Sequence, residues 1–529
     1  MALAAGVAAS LPILIAMVYA VVDGWVPLGD DAYIGIRAYD VFTDRFPLVG
    51  QRSSGASGVL DETAYSPGPL LFWLMAVPAR MPDGVFMALT AGVVNVASVM
   101  GTVALAFRRG GRPLMFATAI AIPVMLASLP AETYSDVWNS SAPLMPLMLL
   151  VFLAWSVACG EYRLLPLTVV VASFATQAHL TFLMPAMGVT AVALGCAVAF
   201  KSVRSWPRRW VLATLAVGLV CWSAPLLDQA VNRPGNFVNL AKSATSDEPS
   251  LGYHSAWKAV AHTAGIPPWW LQDDRDTLKR IGDLSTRPSP FAILTALLVV
   301  GALAAVALVG WRRRRADVFA AGTLGLTLCV AVGMGAASTP INSFGTVGYT
   351  MRWASPAGMC VWLLLGWSVA SLLPAGSLAG LRRRALSPAA GLAAVAAIGA
   401  LIAIAENPPR QEPYQGMRTI AEGLEANLPP EGGTWVEVAS SGDTLGLGSE
   451  LQVGTIYWLR RHGRAVVAPP NVVERLSGDY ARGGYRRKLQ VAVDVPPEPG
   501  GRRIARVAVT DPIDQKSTRV VTLTVLPED

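Results

Sequence analysis

"ALAAGVAASLPILIAMVYAVVDGWVPLGDDAYIG", residues 2–35, decides how the whole chain is read. Residues 2–22 carry no charged side chain, and a helix needs roughly 20 such residues to cross the hydrocarbon core of a bilayer. The segment lacks the basic start of a signal peptide, so an uncleaved first span is expected. Immediately beyond it stand two adjacent carboxylates, Asp30 and Asp31. An acid there either caps the next helix or serves as a base facing a lipid-borne substrate.

Composition extends the membrane reading to the rest of the chain. Of 529 residues, 53% are hydrophobic and 15% charged, with a mean hydropathy of +0.46, which excludes an ordinary soluble globular protein. Apolar blocks broken by arginine clusters argue against a β-barrel, whose strands alternate. The net charge of +7 is concentrated between those blocks: Arg108, Arg109 and Arg112; Lys201, Arg204, Arg208 and Arg209; arginines at 312–315 and again at 382–384. Such clusters read as determinants of cytoplasmic loops rather than as a nucleic-acid surface. The five cysteines fall in or beside apolar segments and suggest neither a disulfide framework nor a thiolate metal site.

With the arginine clusters placed inside, the fold expected is a polytopic α-helical membrane protein of about eleven transmembrane helices. These run at about 3–22, 84–107, 113–130, 143–159, 164–179, 181–200, 210–227, 290–310, 317–336, 353–374 and 386–405. The N-terminus is cytoplasmic, the C-terminus extracytoplasmic, and residues 1–405 form a plasma-membrane domain with large outer loops at 23–82 and 228–289. In the first of these, Ile34, Ala38, Val41 and Phe42 share a helical face opposite Arg37, Asp40 and Asp44, which predicts a helix lying on the membrane surface. "PGPLLFWLMAVPARM" (67–81) is too short for a span and predicts an interfacial or re-entrant helix.

Residues 406–529 change character. After the linker "ENPPRQEP", the stretches "TWVEVA", "RAVVA", "KLQVAVDV", "RRIARVAV" and "TRVVTLTVL" alternate like strands. "SELQVGTIYWLRRHG" reads as a helix closed by Gly463. A small extracytoplasmic α/β domain is expected.

On this topology the polar clusters gather on the outer face: Asp30 and Asp31, "YSDVWNSS" (134–141), "QAH" (177–179), the second outer loop and "GTVGYTMRW" (345–353). A transporter keeps polar residues on broken helices near the midplane, whereas the mid-helix positions here are nearly all apolar. An acid pair at a membrane surface with basic groups nearby suits transfer of a sugar from a polyprenyl phosphate to an acceptor hydroxyl. The hydroxyl needs a base, and the phosphate leaving group needs charge stabilisation. Direct displacement with one base inverts the anomeric centre.

"GDDAYIGIRAYD" after the first span, "YSPGPLLFWL" in the first outer loop, "DVWN" before the fourth span and "QAHL" after the fifth resemble the GT-C superfamily of integral-membrane glycosyltransferases. More narrowly, they resemble its actinobacterial members that use polyprenyl-phosphate sugars. The resemblance implies an inverting glycosyltransferase of cell-wall biogenesis, with Asp30 as base and Asp31 orienting or binding the acceptor, and with the reverse assignment of the two aspartates open beside it. It implies a lipid-linked sugar donor, a cell-envelope glycan or glycolipid acceptor, and contacts of the terminal domain with that acceptor. Asp136 or Asn139 would bind sugar, and Arg352 with His179 or Tyr349 would take the leaving phosphate. Lys242 in the second outer loop joins the candidate binding residues. No metal or other cofactor is expected, because side chains can serve a monophosphate leaving group. Two other readings stand beside it: a flippase for lipid-linked saccharides, and a non-catalytic envelope assembly protein.

Overall fold

Each apolar block expected to be a span is helical in the computed structural model of the protein. The structure describes residues 1–526 apart from 59, 61–62, 201–206, 274, 374–386, 407–410, 429–432, 441–445, 482–484, 486 and 511–517. Lys201, Arg204 and the arginines at 382–384 therefore lie outside the described residues.

The chain opens with α1 (Ala2–Ala9) and α2 (Leu11–Val22), which meet at a bend of 51°. Ser10 sits at that bend and donates its hydroxyl back to the Gly6 carbonyl at 2.8 Å, a bond that bends helices. The first outer loop holds α3 (Gly29–Asp40), α4 (Ser54–Ser57) and α5 (Leu70–Met75). Next comes α6 (Val85–Ala127), two expected spans joined at Gly111, where φ is 65° and ψ −157°. A side chain there would be strained, so glycine marks the break. It is followed by α7 (Leu144–Ala158), α8 (Leu165–Ala178), α9 (Leu183–Ala199) and α10 (Arg208–Val231). The second outer loop forms α11 (Asn236–Ala244), α12 (Gly252–Ala264) and α13 (Thr277–Ser285). Then come α14 (Pro290–Arg312), α15 (Ala316–Ala337), α16 (Val347–Thr350), α17 (Ala354–Leu372) and α18 (Pro388–Glu406).

This is a polytopic helical membrane protein. Among the described residues six helices are long and apolar enough to cross a bilayer, or seven with the bent first pair. These helices take in seven of the eleven expected crossings, since α6 carries two, or eight with the bent first pair. The 15 residues of α7 reach only about 22 Å at 1.5 Å per residue. Almost all of α7 is buried, so neighbouring helices rather than lipid surround it.

The two ends of the helices differ in chemistry. At one end Glu161 accepts from both Arg108 and Arg109 and lies 3.8 Å from Arg163. Arg315 pairs with Asp317 at 2.8 Å there, and Trp155 donates to the Asp317 carbonyl at 2.9 Å. The acids of the first outer loop lie at the other end.

The terminal region comprises α19 (Gln411–Asn427), β1 (Thr434–Ser440), α20 (Leu447–Arg461), β2 (Val466–Val467), α21 (Pro470–Leu476), β3 (Arg487–Val493), β4 (Arg502–Thr510) and β5 (Thr518–Leu526). The sheet runs β2-β1-β3-β5-β4. β1 pairs in parallel with β2 and β3, while β5 runs antiparallel to β3 and β4. The expected strand "RAVVA" contributes only two residues, and α19 begins inside the expected linker.

One expectation fails clearly. α3 is not a surface helix: Ala32, Ile34, Ile36 and Ala38 are fully buried, and so is Asp40 on the supposedly polar side. The reason is α20, which covers α3 from the terminal region. Gly35 permits the contact, since a Cβ there would sit 2.8 Å from the Tyr457 ring. The Tyr457 hydroxyl donates to the Ala79 carbonyl at 3.0 Å. One hydrophobic core runs through both, joining Trp25, Ile36 and Phe72 to Ile420, Leu451, Ile456 and Leu489. Gly35→Val is expected to cost roughly 1–3 kcal/mol by overpacking. A thermal midpoint unchanged from wild type would refute this close contact.

Candidate active site

The helix-cap reading of the acid pair can be examined directly. Leu28 occupies the position before α3, and no side chain caps the helix. Asp30 and Asp31 lie within the first turn, where the helix dipole favours negative charge. They face different partners. Asp30 accepts from Arg475 of α21. The Arg475 guanidinium also lies over the Tyr33 ring, 4.2 Å from its centroid. Burial pushes the Tyr33 phenol up to about 12.

Asp31 turns instead to Asp136, and the two carboxyls hydrogen-bond to each other. Burial, then the charge and hydrogen bond of Asp136, then Asp30 and Glu450, hold the Asp31 carboxyl well above the usual carboxylate range. Burial raises Asp136 as well, against the Trp138 N–H at 2.9 Å and the Ser141 hydroxyl. Two carboxyls in contact share a proton because both cannot ionise cheaply. Glu450, at the start of α20, adds a third acid from the terminal region, packed beside Gly29. Tyr349 closes another side, its ring 4.7 Å from that of Trp138. Its phenol is raised by burial first and by Asp30 second.

Four residues singled out in the sequence therefore meet: Asp30, Asp31, Asp136 and Tyr349. Asn139 is buried beside Gly50, Gly68 and Gln177, lining a small gap. Arg352 is buried in the turn after Tyr349, its N–H donating to the Tyr349 carbonyl at 3.2 Å. Lys242 is exposed on α11. That helix is tied to the first outer loop by Asn236, which donates to the Tyr65 carbonyl at 3.0 Å and accepts its N–H at 2.9 Å.

His179 caps the turn after α8, its Nδ1 accepting from the Thr181 N–H at 3.3 Å. Burial lowers its imidazole to about 4, so at neutral pH it is an uncharged ring. A histidine depressed in the folded state contributes stability that is lost as pH falls from 6.5 towards 4. Wild type is expected to lose stability across that window faster than His179→Gln in paired denaturation curves. Parallel pH dependences would refute the neutral assignment.

Sequence reasoning missed Arg475, Tyr33 and Glu450, and it missed a second constellation at the far end of α3. There Asp40 accepts from Arg460 at 2.8 Å, from Arg37 at 3.1 Å and from the Tyr480 hydroxyl at 2.8 Å. It also missed Arg280, fully buried, which donates to the Met351 carbonyl and to Ser355 Oγ at 2.8 Å. That arginine fixes the turn that presents Tyr349 and Arg352.

The fold and site define a multi-pass helical membrane protein whose cluster of acids is joined by Glu450 and Arg475 of an α/β terminal region. No family model matches the chain, and no curated protein matches it. Among solved structures the fold is similar to ArnT from Cupriavidus metallidurans bound to undecaprenyl phosphate, at 13% identity over 98% of this chain and 97% of that chain, with a TM-score of 0.49. The apo state of the same protein gives 13% identity, 97% of each chain and a TM-score of 0.48. The archaeal oligosaccharyltransferase AglB from Archaeoglobus fulgidus, in complex with an inhibitory peptide and a dolichol-phosphate, gives 12% identity over 91% of this chain and 69% of that chain, with a TM-score of 0.38.

Proposed function

We propose that the protein is a GT-C-type membrane glycosyltransferase that moves a sugar from a polyprenyl-phosphate donor to a cell-envelope acceptor at the outer face of the plasma membrane. The observation that carries this reading is the pairing of Asp30 with Arg475 beside the neighbouring carboxyls of Asp31 and Asp136, at the end of the helices opposite the arginine clusters. A basic end of this kind favours the cytoplasm, which supports the reading that the acids and the terminal region lie outside.

In the proposed reaction Asp30 takes the proton of the acceptor hydroxyl as its oxygen bonds to the anomeric carbon. The bond from that carbon to the phosphate oxygen breaks, and polyprenyl phosphate leaves on the opposite face with inversion. Asp31 and Asp136, holding one proton between them, can both donate to and accept from sugar hydroxyls. Tyr349 and Trp138 offer an aromatic wall, while Arg352 and Lys242 remain candidates for phosphate or acceptor contacts. The chemistry asks for no metal.

The test is turnover by purified protein in nanodiscs, with a panel of short-chain polyprenyl-phosphate sugars and membrane-derived acceptors. A new glycosidic product, formed equally well in the presence of chelator, is the expected result. Movement of intact lipid-linked saccharide across the bilayer without bond formation would replace this reading by the flippase. The alkaline limb of the pH–rate profile, where the Asp31–Asp136 pair gives up its shared proton, is expected above the ordinary carboxylate range. In Asp136→Asn, Asp31 loses a neighbouring negative charge, so the limb moves to lower pH; a limb that stays in place would remove the pair from the reaction.

A further inference from the structure

Arg475 is a cation supplied to an acidic site by the last part of the chain. Tyr33, Asp30 and Asp31 belong to the first outer loop, Asp136 follows α6, and Glu450 begins α20. Against these acids a phosphate group would be repelled unless a positive charge receives it. Arg475 is placed for that task, since its side chain and that of Asp30 each remain 31% exposed, so a ligand has access to both. Nη2 of the guanidinium engages Asp30, and the fork of N–H donors matches two phosphate oxygens as well as it matches a carboxylate. The Tyr33 ring supports its flat face and can hold the cation in place while its partner changes.

From this geometry we infer that Arg475 exchanges partners during the cycle: it holds Asp30 in the resting protein and passes to the phosphate of the lipid-linked donor, leaving the Asp30 carboxylate free for the acceptor hydroxyl. This rests on the donor class proposed above. The terminal region then acts as the donor-phosphate clamp. The donor's phosphate is a diester with one negative charge, as a carboxylate has, but its two free oxygens fit the guanidinium fork and it gains a second charge as its bond to the sugar breaks, which draws Arg475 to it; Arg475 itself makes and breaks only the ion pair. The consequence is an order of events: the base is uncovered by the arrival of the donor, so it is masked while the site is empty.

The experiment is equilibrium binding of a short-chain polyprenyl monophosphate to the full-length protein in detergent, with the corresponding polyprenol as the uncharged control. Arg475→Gln is expected to weaken monophosphate binding on the order of tenfold and to leave polyprenol binding unchanged. Arg475→Lys recovers part of that loss. Asp30→Asn releases the guanidinium and is expected to tighten monophosphate binding by a similar factor. In the Arg475→Gln background the same Asp30→Asn change has a much smaller effect. Monophosphate binding by Arg475→Gln equal to wild type overturns the inference, as does an Asp30→Asn effect that persists in full without Arg475. Equal loss of monophosphate and polyprenol binding would make Arg475 a structural tie only. Wild-type protein that binds no polyprenyl monophosphate overturns the donor reading itself, and this inference with it.

Discussion

Asp30→Asn is expected to lower turnover by about 10²–10⁴-fold, the range general-base catalysis contributes, while affinity for the donor phosphate rises. Asparagine keeps the size and one acceptor oxygen of aspartate but cannot take a proton near neutral pH. The acceptor hydroxyl then attacks without a base, and the loss falls on kcat rather than on donor binding. The opposite movement of the two quantities separates this outcome from misfolding, which lowers both. Asp31→Asn provides the contrast. It removes the group that shares a proton with Asp136, so acceptor affinity suffers more than the chemical step. Turnover of Asp30→Asn within a few-fold of wild type would sink the base assignment. If Asp31→Asn alone lost the chemical step, Asp31 would take over that role.

Asp40→Ala is expected to destabilise the protein by about 3–5 kcal/mol, the cost of removing one partner from a buried ion pair. Asp40 is fully buried and serves Arg37, Arg460 and Tyr480 together. Its loss leaves guanidinium groups and a phenol in a dry contact with no acceptor. The effect reaches the site as well. Arg460 and Tyr480 flank α21 in sequence, so loosening them frees the segment that carries Arg475. Turnover should fall although Asp40 lies ten residues along α3 from Asp30, about 15 Å at helical rise. Denaturant titration of the purified protein measures the stability, and limited proteolysis reads the docking of the terminal region. A stability change under about 1 kcal/mol would mean that this network behaves like an exposed ion pair.

The membrane part of the fold was legible because lipid solvation writes itself into composition. Apolar blocks and the arginines between them mark helix and loop without any knowledge of tertiary contacts. The site was half legible for a related reason: Asp30, Asp31, Asp136 and Tyr349 stand out as polar groups in apolar surroundings. What failed was every feature set by distant pairing. The pattern of α3 looks amphipathic only until Arg37 and Asp40 meet their partners, and Asp40 finds Arg460 and Tyr480 at sequence separations of 420 and 440 residues. Arg475 meets Asp30 across 445. The seven residues "PNVVERL" of α21 offer no periodicity from which the contact of Arg475 with Asp30 can be read. Likewise "RRGGRP" (108–113) suggests an ordinary loop, whereas the chain turns at Gly111 alone and stays helical on both sides.

The shared core of the first outer loop and the terminal region has a consequence for biosynthesis. Translation delivers Asp30 and Asp40 early, and Arg475 and Arg460 only 445 and 420 residues after them. Until α20 and α21 emerge and dock, α3 lacks their cover, Asp40 has Arg37 alone as counter-charge and Asp30 lacks Arg475, so a chain stopped short of residue 447 carries its acids without those partners. On the proposed function, a copy without α20 and α21 is expected to be inert, so competence waits on the docking of the terminal region.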